Sequence, residues 1–297
     1  MIDNIIQKKI NKYNWYHSIE LKPGIKTNPV DAFVKNKKFS TYESKNHHWM
    51  QRNNFKILKK INFKNKKVLD IGCRDGLFSF YAEKMGASKV IGIDNDLSKG
   101  ATEFLIPYFN SKIKMFKKNV YDLKSTDFGK FDIILFFGVL YHLRYPFFAL
   151  KKISEVLNKN GLLLIETAIF LDSNKKAMLF CPTNNESAFE ETSCTFFNTK
   201  GLIDTLRSIG LELKEKNLYP QNIKYRIIKN LIKFFLRIIN KKKIFGIKTS
   251  HVGKYDQHIG DKVEPITRGI FIAKLNKKLI KKEVENYWEN HHNYHSR

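Results

Sequence analysis

Apolar positions along this chain change rhythm at short intervals. Brief apolar runs at 68–71, 89–94, 113–116, 131–137 and 162–166 have the length and β-branched content of buried strands. Between them, 77–85, 97–109 and 146–157 place apolar residues at helical spacing, and Gly86 and Gly161 stand where helices end. Strands alternating with helices of about 10–15 residues predict an α/β, doubly wound, Rossmann-like parallel sheet. A helix at 199–209, a strand at 211–218 and a last strand at 268–275 extend it. Helical periodicity at 49–61 precedes the first strand.

The remaining segments break the alternation. Residues 1–48 hold a short polar helix candidate, the run Trp15-Tyr16-His17-Ser18-Ile19-Glu20-Leu21 and a turn at Lys22-Pro23-Gly24, which together predict an N-terminal cap. The domain proper is expected over 49–275, with insertions at 171–198 and 219–262 and a charged tail at 276–297.

Composition adds limits. The chain has 297 residues, 42% of them hydrophobic, enough for a sizeable core. Cys73, Cys181 and Cys194 are far apart and show no metal-ligand spacing, so no metal site or disulfide scaffold is expected. The His47-His48 pair and His291, His292 and His295 have no convincing partner ligands either. No run approaches the ~18 apolar residues of a membrane span, and the start lacks the apolar core of a secretory leader. A cytoplasmic location is the expectation.

A net charge of +26, from 54 Lys+Arg against 28 Asp+Glu, fits either a nucleic-acid footprint or a general lysine bias. Its concentrated part is 222–243, with eight basic residues and no acid on an amphipathic helical pattern. Anionic membrane, RNA phosphates or the protein's own core are its three candidate partners.

The chemistry centres on Val68-Leu69-Asp70-Ile71-Gly72-Cys73-Arg74-Asp75-Gly76, where a strand turns into a helix. Glycines there let backbone amides approach a ligand. Asp94, ending the second strand, is placed to hold ribose hydroxyls, with Asn95 beside it. Two acids in the turn, Asp70 and Asp75, would repel a pyrophosphate and suit a sulfonium or ammonium.

At these residues the chain resembles the class I S-adenosylmethionine-dependent methyltransferases, over roughly 49–170 and 199–275. The resemblance implies a seven-strand sheet with an antiparallel last strand. It further implies that Asp70, Gly72, Cys73 and Gly76 form the cofactor turn and that Asp94 and Asn95 stand at the ribose. Asn119 and Val120 would meet adenine, and Phe137 and Gly138 would line the sulfonium. Arg74 stands where a middle glycine is common, which predicts an ordinary backbone conformation there.

Phe137-Gly138-Val139-Leu140-Tyr141-His142-Leu143-Arg144-Tyr145-Pro146, Leu163-Leu164-Ile165-Glu166-Thr167 and Phe196-Phe197-Asn198 are more closely similar to the tRNA wobble-uridine carboxymethyltransferase family. That family implies carboxy-S-adenosylmethionine as an alternative cofactor and tRNA as an alternative acceptor. It also implies a carboxylate-binding lysine, for which Lys35, Lys37 and Lys38 are candidates.

Tyr141, His142 and Arg144 follow the fourth strand and Glu166 ends the fifth, so all four are expected at the cleft as the catalytic set. His142 is the candidate base. Glu186, Glu190 and Glu191 cluster in the first insertion as a candidate rim. The sequence therefore predicts methyl transfer to a small-molecule, glycan or lipid-precursor acceptor. Its alternatives are tRNA (carboxy)methylation and a non-catalytic protein that only binds the cofactor.

Overall fold

A computed structural model of the chain describes residues 2–27, 49–171, 175–183, 187, 192–219 and 266–280. The 222–243 helix, Lys35, Lys37, Lys38, the Glu186 cluster and the histidine pairs lie outside the described residues.

The chain opens with α1 (Ile2–Ile10) and a hairpin of β1 (Glu20–Lys22) and β2 (Ile25–Lys26). Then follow α2 (Trp49–Leu58), β3 (Lys67–Ile71), α3 (Leu77–Lys84) and β4 (Lys89–Asp94). A π-helical stretch, Ala101–Leu105, runs into α4 (Ile106–Tyr108) and leads to β5 (Lys114–Lys117). Next come α5 (Ser125–Phe128), β6 (Phe131–Phe137), α6 (Pro146–Glu155) and β7 (Leu157–Phe170). The last elements are β8 (Leu179–Phe180), β9 (Phe196–Asn198), α7 (Thr199–Ser208), β10 (Leu211–Leu218) and β11 (Ile266–Leu275).

Seven strands form a continuous path in the order β10-β11-β7-β6-β3-β4-β5. β3, β4, β5, β6 and β7 pair in parallel, and β11 runs antiparallel to both β7 and β10. The expected doubly wound sheet with an antiparallel last strand is present. Side chains alternate between its two faces, because successive strand residues point oppositely. Leu69 and Ile71 of β3 and Ile134 and Phe136 of β6 face one core, alongside Leu150 and Ile153 of α6 and Leu202 and Leu206 of α7. Val68, Ile133, Leu135 and Phe137 face the other, under α2, α3 and the N-terminal cap.

Four boundaries differ from expectation. The fifth strand spans 14 residues rather than 162–166, since β11 pairs with it along Leu162–Phe170. β7 thereby outlasts β6, and β9 pairs in parallel with its free edge at Ile169 and Phe170. Part of the expected 171–198 insertion is thus sheet. Tyr219 belongs to the domain: its amide donates to the Arg268 carbonyl at 2.8 Å. The first residues of the expected tail also pack back, the Asn276 amide donating to the Gly210 carbonyl at 2.7 Å.

The cap is bound firmly. Ile6, Ile10, Trp15 and Ile19 join the second core with Phe104 and Leu105. Trp15 donates its indole N–H to the Ile10 carbonyl at 2.8 Å, so its polar end is satisfied while the ring is buried.

Candidate functional site

The turn after β3 holds three residues with positive φ: Gly72 at 76°, Arg74 at 46° and Gly76 at 80°. The expectation for Arg74 is corrected here. It takes the left-handed conformation despite its side chain, whose guanidinium pairs with the Asp96 carboxylate and donates to the Asp96 carbonyl at 2.8 Å. Those contacts offset the local strain. Gly72 and Gly76 also need their missing β-carbons, which would strike Val139 and Met115.

Asp94 is oriented by the turn it faces. Its Oδ2 accepts from the Arg74 amide and its Oδ1 from the Asp96 amide, both at 2.8 Å. Asn95 is exposed beside it. Cys73 turns away from the ligand edge: it is buried, with its sulfur over Gly92, and burial pushes its thiol up. Asn119 caps the turn Val120–Asp122, its Oδ1 accepting from the Tyr121 amide at 3.0 Å. Val120 is buried beneath it.

Asp70 is fully buried and accepts from the Ser79 hydroxyl at 2.7 Å. Burial raises its carboxyl to about 6, against the opposing pull of Ser79 and His17. Asp75 has a different role from the one expected of a ligand-facing acid. Its Oδ2 accepts from the amides of Tyr16 and His17 at 2.6 and 2.7 Å, tying the cap to the cofactor turn. Burial pushes Asp75 up, but the bonds from His17 and Tyr16 outweigh it and hold the carboxyl below its ordinary range.

The catalytic set divides. Glu166 is 2% exposed and both its oxygens are taken by Arg268, Nε to Oε1 at 2.7 Å and Nη2 to Oε2 at 2.8 Å. A carboxylate held bidentately by a guanidinium is not an available base, so that expected role is corrected. Arg268 also stacks on the Tyr141 ring, 4.7 Å from its centroid. Gly138 lies over this pair, its amide donating to the Glu166 carbonyl at 2.9 Å. Phe137 meets Phe78 edge-on, the centroids 5.0 Å apart.

His142 is half-buried against Tyr141, with Nδ1 at 3.4 and 3.5 Å from the hydroxyls of Thr192 and Ser193. Arg144 leaves the group. It is exposed and lines a groove of about 760 Å³ between α6 and α7, with Lys130, Phe148 and Ile280. Among the described residues no group of three or more His, Cys, Asp or Glu could hold a metal.

Arg268 was not among the residues expected to matter, yet it had a signal: a single arginine early in a mostly apolar strand. Glu166 pairs in register with Ile270, so Arg268, two residues away, shares its face. A charge at such a position requires a partner of opposite sign. The Asp75 link to the cap had no comparable signal, being a backbone contact across 58 residues.

A glycine turn, an amide-held acid at the end of β4 and this strand order define a class I, Rossmann-like methyltransferase fold. The family model described as methyltransferase domain matches residues 46–216, and the chain belongs to that family.

Its relatives include the tRNA U34 carboxymethyltransferase of Campylobacter hominis, 36% identical over 140 residues, covering 44% of this chain and 46% of that one. The protein of the same name from Campylobacter lari is 32% identical over 165 residues, covering 54% and 53%. The chain spans about half the length of these curated relatives.

Among solved structures, the N-terminal domain of EvdMO1, in the presence of SAH and D-fucose, aligns with a TM-score of 0.57 at 12% identity. That alignment covers 93% of this chain and 98% of the other. The [4+2]-cyclase SpnF aligns at 0.56 and 13% identity, covering 93% and 94%. At such identities these two likenesses show the fold alone.

Proposed function

We propose that the chain is an S-adenosylmethionine-dependent methyltransferase acting on a small-molecule, glycan or lipid-precursor acceptor. The observation that carries the cofactor is Asp94, an acid aimed by two backbone amides beside a turn of three positive-φ residues. Fixed acceptor oxygens of this kind suit a ribose diol.

Asn119 keeps its amide N–H₂ as a donor for the adenine edge, with Val120 beneath the ring. Asp70 and Asp75 set a negative potential at the turn that favours a cationic cofactor. When bound, S-adenosylmethionine supplies an electrophilic methyl group on a sulfonium. The chain's own contribution is positioning: Phe137, Gly138 and the Tyr141–Arg268–Glu166 stack form a rigid floor for the acceptor. His142 is the proposed base, its ring steadied by Tyr141 and the Thr192 and Ser193 hydroxyls.

A second reading, tRNA wobble-uridine (carboxy)methylation, is supported by the names of the relatives. A buried guanidinium at the ligand edge, Arg268, also favours it as a partner for a carboxymethyl group.

Calorimetry with S-adenosylmethionine and its carboxy form tests the cofactor. Preferential binding of the former supports the first reading, and preferential binding of the latter the second. Binding of neither refutes both. In a transfer assay, His142→Ala is expected to lose turnover at least about 100-fold while cofactor affinity persists. Unchanged turnover would remove His142 from catalysis.

A further inference from the structure

α6 packs one stripe of residues on the sheet and turns another toward α7. Ala149, Leu150 and Ile153 are fully buried in the first core. Phe147, Phe148, Lys151, Ser154 and Glu155 recur at helical spacing on the other side, and all line the groove of about 760 Å³. The groove thus follows the ten residues of α6, about 15 Å at 1.5 Å per residue.

Its lining is apolar where α6, α7 and the chain after β11 converge, with Leu179, Ile209, Leu275 and Ile280. Phe147 and Phe148 are 44% and 50% exposed beside them. Adjacent exposed aromatics over an aliphatic lining mark a binding surface.

The charge is one-sided. Among the described lining residues, Lys130, Arg144, Lys151 and Lys277 stand against a single acid, Glu155. Glu155 lies 4.0 Å from Lys151 and 3.4 Å from Lys152, so its charge is already answered. Among the described residues no acid forms an ion pair with Lys130, Arg144 or Lys277.

An occupant complementary to this groove brings an apolar body and a negative charge. The volume suits a small molecule, for which pockets of about 300–1,000 Å³ are usual. The rings are not open platforms for nucleobases: Lys152 Nζ lies over Phe148 at 5.5 Å, and Phe147 is engaged edge-on with Phe197 at 5.4 Å. An aliphatic chain needs no ring face, because burial of apolar area is non-directional.

We propose that the groove between α6 and α7 binds a single-chain amphiphilic anion, an aliphatic tail carrying an anionic head group. The tail lies along the Phe147 and Phe148 stripe, and the lysines hold the head. The site is on the face of the sheet opposite the N-terminal cap, so it stands independently of the cofactor reading.

Calorimetry on the full chain with dodecyl phosphate, below its micelle concentration, tests the site. One molecule is expected to bind per chain, at least about tenfold more tightly than dodecyl maltoside, whose head is neutral. Ser208→Trp, which fills the groove from an exposed position on α7, is expected to abolish binding while the urea midpoint stays unchanged. Lys277→Glu is expected to weaken dodecyl phosphate about tenfold. Lys84→Glu makes the same change in net charge on α3, across the sheet, and is expected to cost less than about twofold.

Equal losses from the two charge reversals, binding of many molecules per chain, or full binding by Ser208→Trp would overturn the site. Displacement of dodecyl phosphate by oligouridylate or oligoglutamate at equal concentration would also overturn it, and would give the groove to a nucleic acid or an acidic peptide.

Discussion

Asp70 and Glu166 are both buried carboxylates, and their neighbours give them opposite fates. Asp70 has a hydroxyl donor and no cation bonded to it, so burial lifts it to about 6. A carboxyl raised on folding contributes stability that is present at low pH and lost as pH rises through its folded value. Above pH 6 the ionised form is costly unless a cation arrives. The unliganded protein is thus expected to lose stability between about pH 4 and 6, from the ordinary carboxyl value to the folded one, while affinity for a cationic cofactor rises as Asp70 ionises over the same window. Asp70→Asn should flatten both trends, as read by urea denaturation and calorimetry across pH. A cofactor affinity in the unsubstituted protein that is independent of pH there would refute the assignment.

Glu166 has the Arg268 fork, and removing one partner strands a buried charge. Glu166→Ala is expected to cost about 3–5 kcal/mol in urea denaturation. A cost below about 1 kcal/mol would mean that the pair is solvated. At this scale the sequence offered Asp70, Gly72 and Asp94 in their turn and strand-end positions. It misdirected Glu166 and Arg144, because proximity to a strand end does not say which side chain already has a partner.

The N-terminal cap is the element whose role changed most. Its local pattern predicts a short helix and a turn, and α1 and the β1–β2 hairpin are both there. What that pattern could not carry is the destination of Trp15, Tyr16 and His17. Trp15 fills the space over Gly100, where a β-carbon would meet its ring, and His17 and Tyr16 close on Asp75. Trp15→Ala is expected to cost about 3–5 kcal/mol, the usual range for emptying a buried aromatic site, and to weaken cofactor binding through the loosened cap. A cost under 1 kcal/mol in chemical denaturation would show the cap to be dispensable.

The strands were legible to within a few residues wherever both faces are buried, as in β3, β4 and β6. They were less so where pairing extends the strand. β7 runs through Asn158, Lys159 and Asn160, residues that look like a turn: its pairing with β6 passes from Leu157 to Leu162 across an irregularity in register, where Asn160 takes φ 65°.

For the whole molecule the question is what +26 charges are for. The described core is an acid-lined ligand edge on a parallel sheet, so the fold itself does not account for them. Phosphate contacts release counterions, and each one steepens the salt dependence of RNA binding by nearly one logarithmic unit per logarithmic unit of salt. Under the tRNA reading, affinity for tRNA is expected to fall at least about 1,000-fold between 50 and 200 mM salt, as for six or more contacts. A nearly flat dependence in filter binding or fluorescence titration would favour the small-acceptor reading and leave the charge as lysine bias. Among the described residues no helix is long and apolar enough to cross a membrane.

The sequence by itself determined the class of fold, the order of strands and helices, and the cofactor turn with its distal acid. Each of these is encoded locally, in periodicity and in glycines required by backbone geometry. Only the tertiary structure decided which charges are free to act. Asp75 is bound by the cap, Glu166 by Arg268, and Arg144 lines a different groove, since partners are assigned by contacts between distant segments. The left-handed Arg74 belongs to the same category: nothing local favours it, and its bonds to Asp94 and Asp96 hold it there.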